Sequence, residues 1–145
     1  MMPTADLPRP EELLPHRAPF LFVDELRSIV PGESASGVWR LTGEEFFFAG
    51  HFPGRPTLPG VLMCEAIAQV GAAAVLADDR FAGKLPLFGG IEKARFRRQV
   101  VPGDELVLEV ELGRMSARAG KGSGRAMVGA EIACECSLLF VLADT

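Results

Sequence analysis

The chain is expected to fold as α+β, with one long buried helix wrapped by a curved antiparallel sheet. Three observations carry that expectation. Val61 to Ala77, 17 residues, is rich in the strong helix formers Ala, Leu, Met, Glu and Gln and is apolar nearly all round. The segments that follow it alternate apolar and polar residues with the period of a strand. Short turns join these segments, so consecutive strands should pair antiparallel. The 145 residues, 48% apolar and 23% charged, make one domain that buries enough surface to fold without disulfides or a structural metal.

Taken in order, residues 1–8 are Pro-rich and polar and are expected to be loose. Pro10 to Leu14 reads as a short helix, with Pro at its start and Glu11 and Glu12 in its first turn, broken by Pro15 and Pro19. Phe20 to Ile29 reads as a strand stopped by Pro31-Gly32, and Ser36 to Leu41 as a second. Gly50 to Gly60 holds three glycines and three prolines in eleven residues. No helix or strand survives that density of breakers, so this is a loop of set shape leading into the helix. Leu85 to Val101 is one strand, or two broken at Gly89-Gly90. Leu106, Leu108, Val110 and Leu112 mark a half-buried strand, and Gly120 to Gly124 a hairpin turn. Ala126 to Leu142 is a further strand region, with Val128, Ala130, Ile132, Cys134, Cys136, Leu138, Phe140 and Leu142 on one face. Because the helix is too apolar for one sheet face to cover, a second copy of the chain is expected to cover the rest, giving a dimer.

Composition excludes several classes of function. A formal net charge of −4 argues against nucleic acid as the main partner. The N-terminus lacks the basic start and apolar run of a secretory signal. The apolar segment is short for a membrane span and contains Glu65, so it reads as a buried helix. Three cysteines at no disulfide-framework spacing fit a reducing cytoplasm. Cys134 and Cys136 have no histidine nearby in sequence and read, with Cys64, as small core residues rather than a metal site.

Two residues stand out chemically. His51, one of two histidines, sits in the Gly/Pro loop, and Glu65 is a carboxylate inside the most apolar helix. Desolvation raises a buried carboxyl's pKa and keeps it protonated, while a histidine near its free pKa can accept a proton. Such a pair suits acid/base work, against the structural alternative of a satisfied loop histidine and a glutamate capping a buried donor. Gly60 opens the helix, so its N–H is a free donor at the positive helix end, suited to a carbonyl oxygen gaining negative charge. Gln69, four residues after Glu65, shares its helix face and could bond Glu65, a substrate or nearby backbone. Lys93, Arg95, Arg97 and Arg98 are four cations in six residues. They read as a dock for an anionic partner or as a solvated strand face. His16 has no evident partner and is assigned no role.

These residues resemble a known family. Leu14-Pro15-His16-Arg17-Ala18-Pro19-Phe20-Leu21-Phe22-Val23-Asp24 is similar to the opening motif of the bacterial (3R)-hydroxyacyl-acyl-carrier-protein dehydratases of the FabZ type. Gly50-His51-Phe52-Pro53-Gly54-Arg55-Pro56 with Leu58-Pro59-Gly60-Val61-Leu62 resembles their active-site loop, and Glu65-Ala66-Ile67-Ala68-Gln69 their catalytic helix. Gly90 to Arg98 and Val101-Pro102-Gly103-Asp104 complete the set in the family's order.

The resemblance implies a hotdog fold, dimers often assembled as trimers of dimers, and active sites at the dimer interface. The histidine (His51) would come from one chain and the glutamate (Glu65) from the other. It implies that Gly60 binds the thioester carbonyl, that no metal or redox cofactor is needed, and that the substrate rides on an acidic acyl carrier protein. Glu65 stands where sister dehydratases that also isomerise the product carry Asp, which favours dehydration alone. A hotdog thioesterase and a non-catalytic acyl-binding module remain as competing expectations.

Overall fold

The computed structural model describes all 145 residues. Helix α1 covers Pro10–Leu13 and α2 covers Gly60–Leu76. The strands are β1 (Glu25–Val30), β2 (Ser34–Arg40), β3 (Leu85–Phe96), β4 (Glu105–Met115), β5 (Ala119–Val128) and β6 (Glu131–Ala143). They form one antiparallel sheet in the order β1-β2-β4-β5-β6-β3, so β1 and β3 are its edges. The α+β expectation holds, with six strands and one main helix.

The inward residues of the strands pack on α2. Leu106, Leu108 and Val110 from β4, Ala126 from β5, and Cys134, Leu138 and Phe140 from β6 share one core with the helix. From Met63 to Leu76 every helical residue except Glu65 is buried within a single chain. This corrects the reasoning that led to a second copy. The sheet face alone does not cover α2, but Leu14, Phe22, Val23, Leu41, Phe48 and Leu58 of the connecting segments join the same core.

The Gly120–Gly124 turn is also corrected: these residues lie inside β5, and the hairpin turn before it is at Ser116 to Arg118. The glycines serve close approach rather than chain reversal. A Cβ at Gly124 would stand 2.6 Å from Ile67 Cγ2 on α2 and 2.8 Å from the Glu109 carbonyl oxygen. Gly124→Ala is therefore expected to destabilise the fold by about 1–3 kcal/mol, through overpacking between sheet and helix. A chemical-denaturation midpoint shows it; an unchanged midpoint contradicts the packing argument.

Other boundaries shift for local reasons. The Ala126–Leu142 region is divided by a turn at Gly129, whose φ is +58°, and Ala130 is exposed there. The Gly89-Gly90 break is a register shift within one continuous β3, which ends at Phe96 rather than Val101. Of Phe20 to Ile29, only the part from Glu25 pairs as strand, because Gln69 takes the Phe22 N–H and the Phe20 carbonyl. Residues 1–8, expected to be loose, carry a helical turn at Thr4–Asp6 and are tied to β1 by the Met2 N–H donating to the Ile29 carbonyl at 2.8 Å. No helix is long and apolar enough to cross a membrane.

Candidate active site

The Gly/Pro loop before α2 is held by its own backbone. The Phe52 and Arg55 N–H groups each donate to the other's carbonyl, and the Thr57 N–H donates to the His51 carbonyl at 2.8 Å. The His51 ring stacks on Phe52, centroids 4.0 Å apart, and its Nδ1 lies 2.7 Å from the Thr57 carbonyl oxygen. A carbonyl only accepts, so Nδ1 carries a proton, and in the neutral ring the lone pair is on Nε2. The loop thus presents a histidine in the tautomer of a base.

Gly60 is the first residue of α2, entered through Pro59. Its N–H makes no hydrogen bond within the chain, as expected of an orphan donor at a helix N-terminus. A Cβ here would stand 2.8 Å from Cδ1 of Phe96, so only glycine lets that ring lie across the helix start.

One turn and a half further along α2 is Glu65, whose side chain is 17% exposed. Gln69 Nε2 donates to Glu65 Oε2 at 2.9 Å and to the Phe20 carbonyl at 2.9 Å, and Gln69 Oε1 accepts the Phe22 N–H at 2.7 Å. Gln69 is fully buried and has both amide ends engaged. Of the partners the sequence offered it, Glu65 and nearby backbone are the ones it holds in this chain, so it clamps Glu65. Burial pushes the Glu65 carboxyl above the usual carboxylate range, with the Gln69 hydrogen bond pulling the other way. The carboxyl is thereby disposed to hold a proton it can give away.

His16 is the residue that sequence reasoning missed. Its Nε2 lies 3.7 Å from Glu65 Oε2, and its Nδ1 is buried without a hydrogen-bond partner. Burial first, with Arg17 alongside, pushes the imidazole below the usual histidine range, which favours its uncharged form beside Glu65. The two side chains line a mostly apolar cavity of about 240 Å³, together with Phe20, Ala68, Phe88 and Phe140. Nothing in the spacing of His16 announces this, because it reaches Glu65 only through the fold.

His51 and Glu65 make no hydrogen bond or ion pair with each other in the single chain. The basic run divides. Arg97 Nε donates to Glu135 at 2.7 Å, and Arg98 is paired with Asp104 at 3.3 Å and Glu131 at 3.5 Å. Lys93 and Arg95 have no acid within ion-pair distance and, with Arg97, line an open groove of about 700 Å³ that Arg98 does not reach. The cysteines are free thiols buried in the core, as expected of small core residues.

Comparison with known proteins follows the same lines. Residues 14–137 match the family model described as a FabA-like domain. The chain is 53% identical over 132 residues to the 3-hydroxyacyl-[acyl-carrier-protein] dehydratase FabZ of Moorella thermoacetica, covering 91% of this chain and 92% of that one. It is 51% identical over 137 residues to the FabZ of Pelotomaculum thermopropionicum, covering 94% and 98%. Among solved structures, the dehydratase heterocomplex ApeI:P of Xenorhabdus doucetiae superposes with a TM-score of 0.82 at 15% identity, over 95% of this chain and 93% of that one. A sigma28-regulated virulence protein of Campylobacter jejuni, Cj0977, superposes with a TM-score of 0.72 at 18% identity, over 99% and 94%. These two likenesses speak for the fold.

Proposed function

The chain belongs to the FabA-like family and is a 3-hydroxyacyl-[acyl-carrier-protein] dehydratase of the FabZ type, and from that premise we propose that His51 and Glu65 perform its elimination of water as base and acid. The observation that carries the assignment is the His51 tautomer: with Nδ1–H committed to the Thr57 carbonyl, Nε2 is the atom left to take a proton from C2 of the acyl chain. The thioester carbonyl accepts the Gly60 N–H, which stabilises the charge that moves onto that oxygen. Glu65, whose carboxyl pKa burial pushes upward, delivers its proton to the departing 3-hydroxyl. Water leaves, and a 2-enoyl thioester remains. The acyl chain runs into the apolar cavity beyond Glu65.

The separation of His51 from Glu65 in one chain supports a site shared between two copies, each supplying one member of the pair. The edge strand β3 offers the surface. Leu87, Phe88, Ile91 and Phe96 on it are exposed, as are Phe52 in the loop and Val61 at the helix start. An open apolar edge is a template for pairing with another chain. Light scattering of the purified protein tests this; a monomer would refute it.

Two further outcomes bear on the assignment. Gly60→Ala forces the Phe96 ring aside and disturbs the donor's position. It is expected to lower kcat by about 10²-fold, the order lost when an oxyanion donor is removed. Wild-type kcat in Gly60→Ala, which keeps the backbone N–H, would show that the donor's position does not depend on the Phe96 ring. Charge reversal at Lys93 or Arg95, the unpaired cations of the groove, is expected to raise KM for an acyl-carrier-protein substrate several-fold at low salt and to leave coenzyme A thioesters unaffected. Arg98→Glu should act mainly through lost ion pairs, since its guanidinium is already engaged. Equal effects on both substrates would dismiss the docking surface.

A further inference from the structure

In the core, three thiols from two elements converge. Cys64 lies on α2, and Cys134 and Cys136 lie two residues apart on β6, hence on one face of that strand. All three are buried, at 5% exposure or less. Their sulfurs lie within 4.8 Å of one another, with Cys64 and Cys134 at 4.0 Å. A disulfide would need about 2.05 Å. Three sulfurs each about 2.3 Å from a central ion, the zinc–thiolate length, stand about 4.0 Å apart when the four atoms are coplanar, and somewhat closer when the ion sits above their plane. The trio is therefore spaced for a three-coordinate thiolate centre after sub-ångström adjustment.

Charge and coordination number choose the ion. Three thiolates around a divalent cation leave one negative charge uncompensated in an apolar core, which is costly. No fourth His, Cys, Asp or Glu joins the cluster, whereas structural zinc takes four ligands. A trivalent thiophilic centre satisfied by three sulfurs leaves the core neutral.

We propose that Cys64, Cys134 and Cys136 form a binding site for trivalent metalloids of the arsenite class. Arsenous acid, As(OH)₃, exchanges its three hydroxyls for three sulfurs. Each thiol proton leaves with one hydroxyl as water, three As–S bonds form, and arsenic stays trivalent, so no oxidant or reductant is consumed.

Occupancy reaches the active site by two routes. Cys64 precedes Glu65 on the same helix turn. Cys134 is the cross-strand partner of Phe96, whose ring packs against Gly60. Drawing the sulfurs together shifts both the helix bearing Glu65 and the ring seating the helix start. Because the thiols are buried, entry requires local opening, and inhibition develops slowly.

The test uses the full chain, reduced with a phosphine so that no small dithiol competes, and incubated with sodium arsenite. Native mass spectrometry should show one arsenic per chain with the loss of three hydrogens. Enoyl-thioester hydration should decline over time and recover when excess dithiol is added. Cys64→Ala and Cys134→Ala, each a modest truncation, should bind arsenic at least tenfold more weakly. Zinc ion should bind the wild type more weakly than arsenite. The proposal is overturned if no arsenic is retained, if only two hydrogens are lost, if either variant keeps wild-type affinity, or if zinc binds as tightly. The mass measurement does not depend on the catalytic assignment, so the two readings fail separately.

Discussion

Glu65→Gln is expected to give a protein that is more stable than wild type at neutral pH and turns over about 10²–10⁴-fold more slowly, the range attributed to a positioned general acid. The two effects have one cause. The carboxyl is sequestered among Gln69, His16 and the apolar cavity wall, and burial raises its pKa in the native state. The native state then binds more protons than the unfolded state between the unfolded and the folded pKa. Stability is therefore fully present below the unfolded value, near pH 4, and is lost as pH rises through the raised native value. Glutamine has no proton to lose and can still accept the Gln69 amide. The variant's melting temperature should exceed that of wild type at pH 8, and the difference should vanish near pH 4. A variant less stable than wild type at pH 8 would mean that the ionised carboxylate is stabilised in the fold, against its assignment as the acid.

His51→Ala is expected to lose about 10³-fold in kcat with the fold intact, since the side chain is half-buried in a loop and its ring makes one hydrogen bond. Alanine removes both the base and that bond to the Thr57 carbonyl. His51→Asn separates them, because an asparagine amide can donate to Thr57 but offers no base. If both variants are equally inactive, Nε2 is the group that matters. If His51→Asn recovers most of the activity, the histidine acts by shaping the loop, and the base lies elsewhere. The readout is ultraviolet absorbance of a 2-enoyl thioester during hydration.

Much of this site was legible before the fold. The breaker density of Gly50 to Gly60 and the helix formers after it are local properties, and the structure realises them as a hydrogen-bonded loop and a 17-residue helix. A carboxylate in an apolar helix was conspicuous from composition alone, and its raised pKa follows from burial. The order of motifs pointed to the family that the comparisons show. The glycine-rich stretch of β5 misled because glycine signals a turn when only neighbours in sequence are visible. Its purpose, room for Ile67 of α2, depends on a residue far away in the chain.

The sequence by itself determined the local conformational preferences: where strand and helix periods run, where the chain must break, and which side chains carry unusual chemistry for their surroundings. Only the tertiary structure decided that connecting segments join the sheet in covering α2 from Met63 to Leu76, that Gln69 clamps Glu65, and that His16 faces the same carboxylate. It alone placed Cys64 beside Cys134, seventy positions apart. The physical reason is one of range. Dihedral preferences and periodicity act over a few residues. Burial, close approach and pKa depend on which distant segments share a volume, and only the packed chain sets that.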